Sequence, residues 1–262
     1  MGASGDFFKG VINRDQFNPK LGVTYTFDTG TTVRAARFRG LKRSLISSQT
    51  LEPTQVAGFN QLYDDPEGTD TWRYGMALDQ TFTKDLRGGV EFSRRELTVP
   101  YRFVAVGSPP EVRFSGWGEQ FARAYLYWAL HKRWALTAEY LFESFDREQA
   151  LPGEEQIIKA KTHRVPFGLN FFHPSGFQTL LKATYVAQEG NFLDASFSPF
   201  SDSDSFWVVD AAIGYRLPKR HGIITIEAKN LLDKTFQFQD TNPGNPLIQP
   251  SRMVLGKFTL SF

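Results

Sequence analysis

The sequence predicts an all-β fold, an antiparallel transmembrane β-barrel of about 11–12 meandering strands with short periplasmic turns and long extracellular loops. Three observations support this prediction. Apolar and polar residues alternate repeatedly with a period of two, the predicted strands are long, and short connections alternate with long ones. Many of the predicted strands have roughly 10 to 15 residues, whereas globular strands have about 5–6 and a tilted membrane strand needs about 9–11.

Composition agrees with a barrel and excludes several other classes of protein. Aromatic residues make up 15% of the chain, with 25 Phe and 9 Tyr. No stretch reaches the roughly 18 apolar residues of a transmembrane helix. Because only alternate residues of a barrel strand face lipid, a mean hydropathy of −0.34 is compatible with a membrane. The chain has no Cys, and its 30 basic and 28 acidic residues are intermixed, so we expect neither disulfides nor nucleic-acid binding.

Period-two alternation is clearest in five stretches of the chain, and each is a predicted strand. In one of them, apolar residues at even positions from Trp134 to Phe142 alternate with residues that include Glu139. No helical period of apolar residues continues for more than about one turn. The five stretches are 20–27, 134–143, 207–217, 224–229 and 257–262.

The N-terminal segment, residues 1–16, is expected to add a short extra strand over Asp6–Ile12. This strand would raise the number from about eleven to about twelve, and single-chain bacterial barrels have even strand numbers. The residues after Met1 lack the basic and apolar regions of a signal peptide. We therefore expect residues 1–262 to form a single mature barrel domain, or the C-terminal portion of a larger barrel.

Connections between the predicted strands fall into two classes, which alternate strictly along the chain in this interpretation. The alternation predicts short turns on one side of an outer membrane and long loops on the other. The short turns lie at 28–30, 84–87, 131–133, 173–176 and 218–221. The long polar segments lie at 41–70, 104–116, 147–159, 190–204 and 239–250.

Aromatic residues are expected to form two belts, one at each membrane surface. Both belts would lie at the level of the lipid headgroups. The belt near the short turns comprises Tyr25, Phe27, Phe82, Trp134, Phe171, Phe177 and Tyr215. The belt near the long loops comprises Trp72, Tyr74, Phe142, Phe145, Trp207 and Phe236.

The polar phase of the strands is predicted to line a water-filled lumen of mixed charge. In a soluble β-sandwich, the same residues would cover the solvated outside of the protein. Loop asymmetry and strand length favour the barrel over the sandwich. The predicted lumen-lining residues are Arg34, Asp79, Glu91, Arg123, Glu139, Arg164, Lys182, Asp210, Arg216, Glu227 and Lys229.

Two stretches of the chain resemble the C-terminal half of a TonB-dependent receptor. Residues 17–25, FNPKLGVTY, followed by 31–36, TTVRAA, resemble a hairpin of that family. Residues 230–236, NLLDKTF, resemble the family's penultimate-strand motif Asn-Leu-Phe-Asp-Lys-x-Tyr. The chain also ends on an aromatic residue, as outer-membrane barrels do. Phe258, Leu260 and Phe262 are accordingly the expected signal for the barrel assembly machinery.

The resemblance implies a component that takes up a solute such as a metal chelate, cobalamin or a glycan across a bacterial outer membrane. It also implies outer-membrane lipid as a partner, with an upstream plug or periplasmic domain and TonB. Residues 38–43, FRGLKR, depart from the family's Gly-Phe-Arg-x-Pro stretch, and the chain shows no plug domain or TonB box. Receptors of this family have about twenty-two strands, roughly twice the number predicted here.

The longest loop, 41–70, is the candidate ligand-binding loop, because loops of this length are often functional. Neither the four His residues nor the acidic loop residues have the spacing of a known metal site, so no metal is expected. No nucleophile or nucleotide motif is present, and no cofactor is expected. The candidate ligand-binding residues are Arg39, Lys42, Arg43, Gln49, Gln55, Asn60 and Tyr63.

Transport is the function that the sequence favours, and we expect no enzyme activity. An outer-membrane porin or an export channel would use nearly the same residues as a receptor barrel. A barrel hydrolase at the membrane edge is the alternative from another class of function. It would use His163 with Ser144 or Asp146 as its neighbour across a strand pair.

Overall fold

The described part of the chain forms one antiparallel sheet of twelve strands, each paired with its neighbours in sequence. A computed structural model describes residues 1–9, 12–42, 55–60, 65–105, 107–148, 156–193, 196, 198–236 and 251–260. The predicted all-β antiparallel meander is confirmed. The strands are β1 (Gly2–Lys9), β2 (Asn13–Thr26), β3 (Thr31–Leu41), β4 (Gln55–Val56), β5 (Phe59–Asn60), β6 (Asp70–Thr83), β7 (Leu86–Phe103), β8 (Glu111–His131), β9 (Trp134–Arg147), β10 (Gln156–Phe172), β11 (Phe177–Leu193), β12 (Pro199–Arg216), β13 (Gly222–Lys229) and β14 (Met253–Leu260).

Two short elements lie outside the large sheet. Strands β4 and β5 form a separate two-residue hairpin within the longest connection, and Pro218–Arg220 form a 3₁₀ turn before β13. Strand β1 begins at Gly2, earlier than the extra strand expected over Asp6–Ile12, and it pairs with β2 along its whole length. Among the described residues, β1 and β14 each pair on one side only, so the sheet has two edges.

The predicted strict alternation of short and long connections is wrong at two places. β1 ends at Lys9 and β2 begins at Asn13, so this connection is short although it joins β2 at the end opposite the 28–30 turn. The expected long loop over 190–204 is mostly strand. The β11–β12 ladder continues to the pair Leu193–Pro199. The Ser- and Asp-rich residues of 199–204 therefore pair as strand although their polarity is typical of a loop.

Side-chain burial differs sharply between the two faces of the sheet. Residues paired across strands share a face, as does every second residue along a strand. The inner face is defined here as the one that carries Arg34 and its register neighbours Ala77, Glu91 and Arg123. Many of its large apolar side chains are almost fully buried, for example Phe38, Val99, Trp117, Phe145 and Phe206. The edge strand β14 differs, since Met253 and Leu255 on the same face are 37% and 41% exposed.

The sheet curves toward the inner face at its long-loop end. Strands β2 and β8 are four places apart, which in a flat sheet would separate them by about 19 Å. Nevertheless, the Arg14 Cζ lies 5.7 Å from the centre of the Phe114 ring. Gly68 lies against both Ile12 and Pro100, which precede β2 and belong to β7, respectively. Curvature of the backbone thus contributes to the burial of the inner face.

Two aromatic residues expected in the belt near the long loops belong to the inner face instead. Phe145 is 1% exposed and packs edge-on against Trp117, with ring centres 5.6 Å apart. It has the opposite parity to Phe142 in β9, so it points to the other side of the sheet. Phe236 stacks on the buried ring of Phe206 at 4.0 Å.

Candidate functional site on the inner face

The pairing register places all eleven predicted lumen-lining residues on the inner face. Arg34, Glu91, Arg123 and Arg164 lie in one row across the sheet, with Lys182 opposite Asp210 on neighbouring strands. The other members follow from the alternation along their own strands. That these residues line a lumen stays a prediction.

Arg34 is the centre of the first charged cluster. Its Nε donates to Asp79 Oδ2 at 2.8 Å, and its Nη2 lies 3.4 Å from Glu91 Oε2. The Tyr125 hydroxyl donates to the second Asp79 oxygen, Oδ1, at 2.5 Å. Strands β3, β6, β7 and β8 therefore contribute to a single hydrogen-bonded group in the middle of the inner face.

Arg123 is the centre of the second charged cluster, on β8 and β9. Its Nε donates to Glu139 Oε2 at 3.1 Å, and the Tyr127 hydroxyl donates to Glu139 Oε1 at 2.6 Å. The Arg123 guanidinium also lies 4.9 Å from the centre of the Tyr125 ring, and this contact joins the two clusters. Tyr125 and Tyr127 are absent from the predicted lumen-lining residues, although they occupy the polar phase of β8 beside Arg123, a signal that the sequence does contain.

The remaining predicted residues lie farther along the sheet. Arg164 pairs with Glu143 at 3.1 Å, and Lys229 lies 3.8 Å from Asp210 and 4.0 Å from Glu227. The structure thus arranges most of these predicted charges as neighbouring opposite pairs along the sheet. It does not gather them at one point.

The hairpin β4–β5 lies on the inner face, directly beside the first cluster. Phe59 is 1% exposed and packs in a cluster with Ala36, Phe38 and Ala77. Two strand glycines make room for it: a Cβ on Gly75 would lie 2.5 Å from the Phe59 ring, and the hairpin approaches Gly22 in the same way. Glycine within a strand is typical of such a close approach.

Polar contacts fix the connection between β3 and β6 to the inner face of the sheet. Arg34 Nη1 donates to the Ala57 carbonyl at 3.3 Å, and Arg73 donates to the Asn60 carbonyl. Farther along the connection, Asp65 accepts from the Arg95 Nη2 at 2.7 Å. Arg95 is 5% exposed and also contacts Glu119 Oε2 at 2.6 Å. The described parts of the longest connection are therefore held against the inner face.

The structure separates the residues of the candidate ligand-binding loop. Gln55 and Asn60 lie on the inner-face hairpin and hydrogen bond to each other at 2.9 Å. Arg39 points to the other face and binds both oxygens of Asp70, at 2.9 and 2.6 Å, while Lys42 is buried at the end of β3. The other three predicted residues, Arg43, Gln49 and Tyr63, lie outside the described residues.

The motif at 230–236 forms a turn at the end of β13. Asn230 has a positive φ of 47° and is 4% exposed. Its side chain accepts from the Lys234 amide at 3.0 Å and donates to the Lys234 carbonyl at 2.9 Å. Asp233, with φ of 53°, accepts from the Arg252 amide at 2.8 Å. Asn and Asp tolerate this left-handed conformation better than other non-glycine residues, which explains their place in the motif.

On the opposite, outer face, apolar side chains form a continuous exposed band. In β9 the band runs from Trp134 to Phe142, and in β12 from Trp207 to Tyr215. Exposed members include Leu78, Val90, Phe167, Leu181 and Ile213, each 41–55% exposed. Near the short turns, aromatic pairs edge the band, with ring centres 4.5–4.7 Å apart. These pairs are Tyr25–Phe27, Trp134–Phe171 and Phe177–Tyr215.

The band ends abruptly at a row of polar residues toward the long loops. The residues of this row are paired with one another across eight strands. The preceding row on the same face, two residues away along each strand, still contains Met76, Phe92 and Phe142. We call the row of paired polar residues the polar row. It comprises Arg37, Tyr74, Arg94, Gln120, Ser144, Lys161, Glu189 and Ser203.

The candidate hydrolase residues and the expected C-terminal assembly signal lie in separate places. His163 lies on the outer face with its Nδ1 2.8 Å from the Tyr140 hydroxyl, and Ser144 pairs with Lys161 instead. Within the described residues no hydrogen bond joins His163 to Ser144 or Asp146. Phe258 and Leu260 are exposed on β14, while Phe262 lies outside the described residues.

No family model and no curated protein matches the sequence. No helix of the described residues is long and apolar enough to cross a membrane. Nor do these residues contain a group of three or more His, Asp or Glu side chains that would hold a metal ion.

Proposed function

We propose that this chain forms the wall of a β-barrel in a bacterial outer membrane and that its inner face takes part in the uptake of a polar solute. The exposed apolar band on the outer face, cut off by the polar row, carries this proposal. Soluble monomers rarely expose contiguous apolar patches larger than a few hundred Å², and larger ones mark contact with a membrane or a partner.

The height of the band fits a bilayer. From Trp134 to Phe142, at about 3.4 Å per residue, the band extends roughly 27 Å along β9. A strand tilted by about 40° would cover roughly 21 Å of the membrane normal, close to the ~25 Å band of outer-membrane barrels. The aromatic pairs near the short turns would lie at one headgroup level, and Tyr140, Tyr185 and Trp207 near the other.

Closure of the barrel completes the proposal. Unpaired strand edges are not tolerated in hydrocarbon, where each free backbone group costs several kcal/mol. Pairing of β1 with β14 would remove both edges and give twelve strands, an even number as in other single-chain barrels. A larger barrel that receives further strands between these edges is the alternative.

The inner face supports a role in passing a hydrophilic solute. Arginine, carboxylate and tyrosine groups alternate across β3 to β9, and the hairpin β4–β5 narrows the space beside them. The resemblance of 17–25, 31–36 and 230–236 to TonB-dependent receptors favours uptake over export. On that resemblance, the solute would be a metal chelate, cobalamin or a glycan.

The first test is the electrophoretic mobility of the refolded chain. The full chain would be refolded into detergent and run on an SDS gel, unheated and boiled. A closed barrel resists SDS when unheated, so we expect it to migrate faster than the boiled form. Conductance in a planar bilayer would follow, with and without candidate solutes. Identical mobility, together with aggregation, would contradict closure of this chain by itself.

A further inference from the structure

We propose that the outer face carries a binding site for the phosphate of a membrane-lipid headgroup, formed by Arg37 and Arg94 on either side of Tyr74. The proposal rests on the proposed function, which puts the apolar band inside a bilayer. Phosphorylated glycolipids and glycerophospholipids share this phosphate. The site lies on the opposite face of the sheet from the charged clusters around Arg34 and Arg123.

The position of the two arginines matches the headgroup level. Arg37 pairs with Tyr74, and Tyr74 pairs with Arg94, so all three lie in the polar row. The adjacent row still belongs to the band, with Met76 64% and Phe92 40% exposed. The arginines are two strands apart, or about 10 Å between their backbones. Two arginine side chains can therefore meet on one phosphate between them.

Aromatic rings hold the Arg37 guanidinium in place. Its Cζ lies 4.8 Å from the centre of the Trp72 ring and 5.4 Å from that of Tyr74. These two rings are themselves stacked, 6.4 Å apart at 20°. A cation over ring faces is attracted electrostatically, and the contact does not consume its N–H donors. The guanidinium is thereby oriented before any ligand arrives.

The charge of Arg37 is not neutralised locally. In the part of the chain that the structure describes, no carboxylate forms an ion pair with it, whereas its neighbour Arg39 is bound by Asp70 through two hydrogen bonds. An arginine fork matches the geometry of a phosphate and binds it through two parallel hydrogen bonds. Arg37 thus presents an oriented cation with available donors at the edge of the band.

Arg94 supplies the second cation. It lies 3.0 Å from Glu96 of its own strand, and both side chains are about half exposed. Such exposed pairs contribute little and exchange readily for a better partner. At the other end of the polar row, Lys161 lies 3.3 Å from Glu189. Excess positive charge is therefore concentrated at β3–β7, where Arg37, Arg39 and Arg94 face Asp70 and Glu96.

The test measures lipid binding to the full chain refolded in neutral detergent. Native mass spectrometry would titrate the protein with phosphatidylglycerol and, separately, with lipid A. We expect one lipid molecule to bind to each protein chain, with a measurable affinity. The substitutions Arg37→Gln and Arg94→Gln should each weaken it about tenfold, as loss of a charge-assisted hydrogen bond does. Arg102→Gln is the matched control. Arg102 is an exposed arginine on β7, the strand of Arg94, but it lies beyond the polar row. It should bind lipid as the unchanged protein does.

Three results would overturn the proposal. If Arg37→Gln and Arg94→Gln bind lipid as tightly as the unchanged protein, these arginines do not form the site. If Arg102→Gln loses as much lipid affinity as they do, the binding reflects general charge attraction. Displacement of the lipid by excess inorganic phosphate would indicate a site for free anions. The unheated and boiled gel lanes separate this proposal from the proposed function. If the chain forms no barrel, both proposals are contradicted. If it forms a heat-modifiable barrel but the variants bind lipid with unchanged affinity, only the headgroup site is contradicted.

Discussion

At the scale of single residues, the inner-face charges are compensated by near neighbours. Asp79 accepts hydrogen bonds from Arg34 and Tyr125 through its two oxygens, and Glu139 does the same for Arg123 and Tyr127. These side chains are fixed by each other. An inner face of this kind has little local net charge but presents oriented donors and acceptors.

Substituting Asp79→Asn should change ion selectivity. The substitution leaves Arg34 with Glu91 as its remaining carboxylate partner, so the local potential becomes more positive. We expect the reversal potential in a salt gradient to shift toward anion selectivity. The loss of unfolding free energy should be only about 1 kcal/mol, because the pair is partly exposed. Glu111→Gln, at the exposed far end of β8, is the control. An unchanged reversal potential in Asp79→Asn would argue against a conducting inner face.

At the scale of elements, the hairpin β4–β5 packs on the inner face of the sheet where two glycines leave space. Gly22 and Gly75 on β2 and β6 admit Val56 and Phe59 to the inner face. Arg34 connects the hairpin to the charged clusters through the Ala57 carbonyl. The hairpin and the charges beside it consequently form one connected unit on the inner face, which in the proposed barrel would narrow the lumen.

Gly75→Val should displace the hairpin. The new side chain would overlap the Phe59 ring, and overpacking of this kind typically costs about 1–3 kcal/mol. We expect larger single-channel conductance and faster proteolysis within the connection between β3 and β6. Gly118→Val is the matched control, since a Cβ at that strand position meets no atom within 4 Å. Conductance equal to that of the control would show that the hairpin does not constrict the path.

At the scale of the whole molecule, the two faces have opposite characters. The inner face buries many of its large apolar residues and pairs several of its charges, while the outer face exposes a broad apolar band between aromatic pairs and the polar row. A soluble sandwich would show the reverse, with the apolar phase packed inside. In the proposed function, lipid surrounds this exposed outer face.

Charge placed on the outer face should be tolerated only beyond the band. Leu181→Arg introduces a cation in mid-band, where the expected cost is about 2–4 kcal/mol. Ser203→Arg introduces the same side chain in the polar row and should cost little. The fraction of heat-modifiable protein after refolding into lipid vesicles, measured across urea concentrations, compares the two. Equal stability of the variants would contradict a band that lies in the bilayer.

The sequence predicts the face of the sheet on which each residue lies better than it predicts strand lengths or long-range contacts. Period-two alternation alone assigns Arg34, Glu91 and Lys182 to one face, because parity is a local property. The ends of β11 and β12 are missed because backbone pairing continues through residues whose polarity is typical of a loop. The seat of Phe59 depends on contacts between distant parts of the chain. Its single local signal is the presence of glycines within strands that are otherwise regular.

The extension of the β11–β12 ladder to Leu193 and Pro199 has an entropic consequence. Each residue that must be ordered on binding costs about 1–2 kcal/mol in backbone entropy. The residues beyond the polar row in these strands are already held by a continuous ladder, so a ligand that approaches from that side meets a preformed ribbon. Its binding free energy is then spent on contacts rather than on ordering the chain.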